Sequence, residues 1–231
     1  MNNQPTETRT YGELLSVHSV FYTIQGEGPY SGWPAVFVRL AGCNLQCRGC
    51  DTEYTEGRQN RSVKQIVEEI LPSFPQLTLA NPRRRLVVIT GGEPFRQAVG
   101  PLCSRLLKIG FRVQIETNGT IAPMEDFPVG ATIVCSPKAP SIAEGLKPYI
   151  SAYKYVIESD YILEKDGLPT RVLGGTEVLP ARPHGRLPVY VTPFDSTDPS
   201  RNLLHLQAAV KVTLDFNYIL QIQLHKLVHL P

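Results

Sequence analysis

Cys43, Cys47 and Cys50 place three soft thiolates in one short loop, spaced by three and then two residues, that runs into Asp51-Thr52. Three ligands are one too few for a closed tetrahedral site. A structural zinc prefers four protein ligands and regular CxxC hooks, whereas a 4Fe-4S cluster held by three thiolates keeps one iron open to a substrate or cofactor. The spacing is not that of a zinc ribbon, and no second CxxC follows. Zinc also accepts sulfur and imidazole, and among the five histidines His225 and His229 are candidates for a fourth ligand. The loop predicts an open-cornered iron-sulfur cluster, with a closed zinc site as the alternative.

The elements that must hold this loop are legible as apolar runs. Strands are predicted over 35–41, 86–90, 111–116, 132–135, 153–157 and 188–191; the run over 86–90 is continuous, as for a strand buried on both faces. Between them, Ser62 with Gln65 forms a capping box for a helix whose Val63, Ile66, Val67, Ile70 and Leu71 share a face. A second helix reaches Ile109 and stops at Gly110, with Ala98, Leu102, Leu106 and Ile109 on one stripe and Pro101 predicting a kink or a late start. The crossovers over 136–152 and 158–187 are rich in Pro and Gly, so short or missing helices are predicted there. A last helix begins near Asp198, with Pro199 in its first turn and Leu203, Leu206, Val210 and Leu214 predicted to face inward. Residues 218–226 alternate as a half-exposed strand should.

Repeated βα units build parallel sheets, and six rather than eight predict an α/β fold: a partial, open (βα)6 barrel with parallel strands and degenerate later helices. In such architectures chemistry gathers at the carboxyl ends of strands. The unusual polar groups of this chain fall there. Arg39 and the cysteine loop, spanning 42–58, close the first run; Thr90 and Gly91-Gly92-Glu93-Pro94 close the second; Glu116, Thr117, Asn118 and Gly119 the third. Ser136, Pro137 and Lys138 follow the fourth, and Thr192, Pro193, Phe194 and Asp195 follow the sixth.

Bulk properties narrow the class. The 231 residues, 42% hydrophobic and 19% charged, predict one globular domain over 1–231. A formal charge of +2 argues against a nucleic-acid or membrane surface, and the one basic run, Arg83-Arg84-Arg85, reads as a solvated loop before a buried strand. Residues 1–10 are polar and no run approaches a membrane span, which predicts a cytoplasmic protein. Five cysteines argue against a disulfide framework; Cys103 and Cys135 read as small buried hydrophobes.

The cysteine loop and Gly91-Gly92-Glu93-Pro94 resemble the radical S-adenosylmethionine (SAM) enzymes. A narrower resemblance is to the 7-carboxy-7-deazaguanine synthases of queuosine and deazapurine biosynthesis. It rests on Ile24-Gln25-Gly26-Glu27-Gly28, on Arg39 through Leu45, on Cys50-Asp51-Thr52 and Glu116-Thr117-Asn118-Gly119, and on Ser136-Pro137-Lys138 and Gln223-Leu224-His225-Lys226. The resemblance implies that Cys43, Cys47 and Cys50 bind a 4Fe-4S cluster whose open iron is chelated by SAM. It puts Gly49, Asp51, Gly92, Glu93, Glu116, Asn118, Ser136, Pro137, Lys138, Thr192, Pro193, Phe194 and Asp195 around that cofactor, with Glu93 accepting from its ammonium.

The implied substrate is 6-carboxytetrahydropterin. Arg39 suits its carboxylate, Ile24, Gln25, Gly26 and Glu27 its amino-pyrimidine edge, and Thr90 adds a hydroxyl. Thr52 is implied as a ligand of Mg2+, and the terminal carboxylate of Pro231 as a further substrate contact. The implied reaction is a lyase-type ring contraction. A 5′-deoxyadenosyl radical takes hydrogen from carbon 6, the ring contracts with loss of ammonia, and the hydrogen returns, so that SAM serves as a cofactor. An electron donor such as flavodoxin or ferredoxin and a homodimer are implied as well. One departure is Gly49, where many relatives carry an aromatic residue before the third cysteine; this implies either a weaker side-chain platform for the adenine or one that leans on backbone and on a neighbour such as Tyr54. The competing readings are a glycyl-radical activating enzyme, which shares the spacing but needs neither Glu27 nor Arg39, and a non-catalytic zinc module.

Overall fold

The computed structural model describes residues 4–47, 49–74, 85–172 and 178–230. In chain order the elements are β1 (Leu14–Ile24), β2 (Pro34–Leu40), β3 (Gln59–Ser62), α1 (Val63–Ile70), β4 (Leu86–Gly91), α2 (Gly100–Lys108), β5 (Arg112–Thr117), β6 (Thr132–Cys135), β7 (Ile150–Ile157), β8 (Val189–Pro193), α3 (Pro199–Phe216), β9 (Ile219–Leu220) and α4 (Leu224–Leu227). Among the described residues the strands form one sheet in the order β3-β1-β2-β4-β5-β6-β7-β8-β9. Every neighbouring pair from β2 to β9 is parallel, whereas β1 runs antiparallel to both β2 and β3. The six predicted strands are thus the sheet's centre, in chain order and not closed. The long β1 and the short β3 extend its first edge.

Period-two alternation sorts the side chains of these strands onto two faces. Val36, Val38 and Leu40 of β2, Val87 and Ile89 of β4, Val113 and Ile115 of β5, and Tyr153, Tyr155 and Ile157 of β7 enter one continuous core with Ile66, Val67 and Ile70 of α1 and Leu102, Cys103 and Leu106 of α2. On the other face Ala35, Leu86 and Val88 form a small apolar plug with Tyr30, Trp33 and Phe37 near the amino ends of the strands. Beyond that plug, toward the carboxyl ends, the same face carries Arg39, Thr90, Gln114, Glu116 and Lys154. Parallel register puts Arg39 beside Thr90. The sheet therefore has an apolar back and a front that changes from apolar to polar along its strands.

Local signals behave as their chemistry requires. Ser62 Oγ accepts from Gln65 N–H while the Gln65 side chain accepts from Ser62 N–H at 2.8 Å, the reciprocal cap. Pro101 lies in the first turn of α2, so the helix starts late and no kink is needed; it ends before Gly110, whose φ of +88° suits a residue without Cβ. The 136–152 crossover holds only a short 3-10 helix, Glu144–Tyr149, and the described part of 158–187 has no helix. Cys103 and Cys135 are buried free thiols. Arg85 lies over the Phe111 ring at 5.6 Å; Arg83 and Arg84 lie outside the described residues.

Two predictions at the C-terminal end are overturned. Helix α3 starts as expected, with Asp198 accepting from Ser200 N–H at 2.8 Å, but it buries His205, Ala209 and Val212, while Leu203, Leu206, Val210 and Leu214 are exposed. The helical period identified an apolar stripe, but the face turned inward is the neighbouring one that carries His205, Ala209 and Val212. Residues 218–226 form only the two-residue β9 before turning into α4. The Gln221 side chain breaks the strand habit by bonding Thr192 Oγ1 at 2.6 Å and Gly28 N–H at 2.5 Å, which ties this segment across the sheet.

The start of the cysteine loop is gripped by two side chains that the sequence did not single out. Arg96, almost wholly buried, donates to Ala41 O at 3.1 Å and Thr8 O at 2.7 Å and pairs with Glu7 at 3.2 Å. Gln97 donates to Ala41 O at 3.0 Å and to Ser16 O at 3.1 Å, and its own oxygen accepts from Ser16 N–H at 2.7 Å. Arg96→Met leaves Thr8 O without this donor, Ala41 O with Gln97 alone and Glu7 with only Arg58, at 2.5 Å, as its cation, at a cost of about 1–3 kcal/mol. Urea denaturation of the purified variant is expected to show a lower midpoint at unchanged slope.

Candidate active site

A cavity of about 520 Å³ opens at the carboxyl ends of the parallel strands. Cys43, Cys47 and Cys50 line it together with Gly49, Asp51 and Thr52. Its polar floor is the front face of the sheet: Gln25, Glu27, Arg39, Thr90, Glu116 and Lys154. Gly91, Gly92, Asn118, Ser136 and Lys138 complete the tips, and Pro193, Phe194, Asp195, Gln223, His225, Lys226 and Leu230 line it from the last third of the chain.

The floor is a connected network. Glu116 accepts from Gln25 Nε2 at 3.0 Å, from Gln114 Nε2 at 3.1 Å and from Thr90 Oγ1 at 3.4 Å. Gln25 Oε1 accepts from Glu27 N–H at 3.1 Å, and Glu27 Oε2 is paired with Lys154 Nζ at 2.6 Å. Arg39 lies over the Phe21 ring at 5.1 Å, and its buried Nε has no acceptor among the described residues. An unsatisfied guanidinium N–H at a cavity wall calls for an anionic ligand.

The three thiols fit a polynuclear metal group. All are free, and burial pushes Cys43 up to about 11 and raises Cys47 and Cys50 too, so these sulfurs need positive charge or metal to become thiolates. Lys138 is near: burial holds it below its ordinary range, and the charges of Cys47 and Cys50 offset only part of this. Among the described residues its ammonium makes no ion pair or side-chain hydrogen bond. No three His, Cys, Asp or Glu side chains among the described residues are grouped to hold a single ion. The three cysteines line the same cavity. His225 packs on Gly26, where an added Cβ would lie 2.1 Å from its Nδ1.

Backbone approach explains the glycine pair. A Cβ on Gly92 would fall 2.0 Å from Gly42 O, and one on Gly91, at φ of +125°, 2.1 Å from Leu40 O. The tip of β4 is therefore pressed against the first residues of the cysteine loop, and Glu93 N–H donates to Gly42 O at 3.1 Å. The Gly-Gly pair serves chain packing, and both residues line the cavity.

Several expected site residues lie elsewhere. Glu93 is fully buried and does not line the cavity; its carboxylate accepts from Phe95 N–H, Thr117 Oγ1 and Asn118 N–H, bracing β4 to β5. That leaves it no reach to a ligand ammonium. Thr192 is buried and bonded to Gln221, Pro137 does not line the cavity, and Gly26 carries the His225 contact instead of a cavity face. Tyr54 is buried, so it cannot serve as a platform for an adenine. Glu116 stands with Gln25 and Thr90 on the floor rather than beside the cysteine loop, while Asn118 Nδ2 reaches Asn44 Oδ1 at 3.0 Å. Pro231 lies outside the described residues. The sequence missed Lys154, hidden as one charge in an apolar strand; its place on the alternating front face was the available signal.

Comparison with known proteins agrees with this geometry. Residues 38–127, from β2 through the cysteine loop to the segment after β5, match the radical SAM superfamily. The crystal structure of QueE from Escherichia coli shares the fold, with a TM-score of 0.65 at 21% identity over 91% of this chain and 94% of that one. The 7-carboxy-7-deazaguanine synthase of Rhodospirillum rubrum is 44% identical, covering 94% of this chain and 92% of the relative, and that of Rickettsia prowazekii is 40% identical over 93% and 88%. The fold and the cysteine loop define a radical SAM enzyme. The chain belongs to the 7-carboxy-7-deazaguanine synthase family.

The Gly92 contact yields a test. Gly92→Ala must separate β4 from the loop that carries Cys43, so the anaerobically reconstituted variant is expected to hold well under half of the iron and sulfide of the wild type, about the loss that a displaced ligand produces. Wild-type iron content in this variant would contradict the described approach.

Proposed function

We propose that this chain converts 6-carboxy-5,6,7,8-tetrahydropterin to 7-carboxy-7-deazaguanine with loss of ammonia, using a 4Fe-4S cluster, SAM and Mg2+. One observation carries the reading: three free thiols and an anion-seeking polar floor line the same cavity. When bound, the cluster and SAM supply a single electron and the adenosyl radical that abstracts hydrogen.

The protein's part is to hold and orient. Cys43, Cys47 and Cys50 hold the cluster, and Lys138 compensates part of its thiolate charge. The backbone at Gly92, with Gly49, Asn118, Ser136, Phe194 and Asp195, forms the seat of SAM. Arg39 takes the substrate carboxylate through a donor fork that includes the unsatisfied Nε. Glu27 and the backbone of Ile24 and Gln25 take the N–H groups of the amino-pyrimidine edge, and Glu116, Gln25 and Thr90 fix the floor beneath it. The Thr52 hydroxyl, 3.4 Å from an Asp51 carboxylate oxygen, offers the hard oxygen donors that Mg2+ prefers. Lys226 pairs with Asp195 at 2.9 Å and Asp51 at 3.5 Å, fastening the C-terminal segment over the cavity and limiting water entry.

Two partners complete the proposal. A one-electron donor of the flavodoxin or ferredoxin type reduces the cluster, in the reducing cytoplasm that five free cysteines suit. No helix among the described residues is long and apolar enough to cross a membrane. A second copy of the chain pairs through the exposed apolar row of α3, the feature that supports a homodimer.

Anaerobic assay of the reconstituted protein, with the product identified by mass, tests the reaction; a full cluster that yields no deazaguanine rules it out. Arg39→Ala is expected to keep its cluster spectrum and lose about 100-fold or more in turnover. For the dimer, Leu203→Glu with Leu214→Glu is expected to give a monomer by light scattering, and a wild type that is already monomeric rejects the pairing.

A further inference from the structure

Lys154 stands in the middle of β7, between Tyr153 and Tyr155, whose side chains enter the core on the opposite face. On its own face Val134 and Val156 are cavity neighbours. An ammonium drawn out of water into such surroundings is tolerated only with a close anion, and Glu27 supplies it at 2.6 Å; the two side chains are 15% and 11% exposed. Burial alone would depress Lys154, but Glu27 and then Glu116 more than reverse this, so the lysine is held above its ordinary range. The Glu27 carboxylate is thus half used. Oε2 is taken by Lys154, and Oε1 accepts from no protein donor among the described residues.

A carboxylate is an acceptor at both oxygens only while ionised; once protonated, it presents a donor to whatever lies opposite. We propose that Lys154 is a positioning and specificity residue, which keeps Glu27 ionised and aimed so that the floor selects a heterocycle edge bearing adjacent N–H donors over one bearing carbonyl oxygen. This rests on the function proposed above. The other charged groups within reach of Glu27 are Lys138 after β6 and His225 of α4, neither hydrogen-bonded to it, while Glu116 of β5 faces the same lysine. Without Lys154, Glu27 keeps weak cationic support against a nearby like charge. The ionised carboxylate then lacks the one cation bonded to it.

The sign follows directly. In a neutral-residue variant the substrate is bound by ionised Glu27, so affinity is best at high pH and falls as the carboxylate protonates. Steady-state kinetics of anaerobically reconstituted wild type, Lys154→Met and Lys154→Arg from about pH 6 to about pH 9 test this, with a pterin carboxylate and the matching 2,4-dioxo ring as competitive inhibitors. For Lys154→Met, KM is expected to rise on the order of 10- to 100-fold near neutrality and to recover with increasing pH, as loss of a charge-assisted contact implies. kcat is expected to stay within a few-fold, and the preference for the 2-amino ring to narrow. Lys154→Arg is expected to keep the flat wild-type KM profile.

Glu27→Gln checks the same idea with Lys154 in place: its KM is expected to be raised, independent of pH and poorly selective. A Lys154→Met enzyme whose KM ignores pH, or which loses kcat alone, overturns the inference, as does a Glu27→Gln enzyme with wild-type KM and selectivity. Should Lys154→Met fail to fold, Glu27→Gln and Lys154→Arg decide the matter. A wild type that makes no product sinks the proposed function and this inference together, whereas wild-type turnover with either contrary result sinks the inference alone.

Discussion

Everything at the mouth of the cavity depends on how closely the tip of β4 approaches the residues that lead into the cysteine loop. Gly91 and Gly92 lie where any Cβ would collide with Leu40 or Gly42 backbone, and Glu93 and Gly92 N–H groups donate into that same stretch. Arg96 and Gln97, a few residues further on, return to grip Ala41 O. One short segment, from β4 into the following turn, therefore positions Cys43 by backbone contact and by side-chain donors at once. A loop of three cysteines has no regular structure of its own to fix its sulfurs, so the rigidity must come from a neighbouring strand.

The second organising feature is the change of chemistry along one face of the sheet. Near the amino ends Ala35, Leu86, Val88 and their aromatic neighbours plug the interior. One or two pleats further along, Arg39, Thr90, Glu116 and Lys154 replace them. Those charges are affordable because each has a partner or awaits one: Lys154 has Glu27, Glu116 has three donors, and Arg39 keeps an unsatisfied Nε for an anion. The floor is thus cross-linked by its own side chains, which places the cost of organising it in folding rather than in binding. Glu93, although part of the most recognisable motif, belongs to this scaffold: its carboxylate is consumed by Phe95, Thr117 and Asn118.

Much of this was legible in the residues alone. The cysteine spacing, the six parallel strands, the cap at Ser62, the late start of α2 at Pro101 and the gathering of polar residues at strand ends all follow from short-range rules, because each depends on neighbours a few positions away. The family motifs carried the reading of Arg39, Glu27 and Thr52 further than local chemistry could. Where pattern outran geometry, the reading failed. The Leu203–Leu214 row had a sound helical period but faces outward, and residues 218–226 alternate without forming a long strand.

What the chain determined by itself was the set of elements, their order and the chemical types available at their ends, since backbone preference and side-chain period act locally. Tertiary structure alone decided which of those groups share a space: that Lys154 of β7 meets Glu27 beyond β1, that Glu116 joins the floor instead of the cysteine loop, that His225 closes on Gly26, and which side of α3 meets the sheet. Each of these is a contact between residues far apart in sequence. Such contacts are settled by packing and by the need to pair buried charge, and neither leaves a periodic trace in the chain.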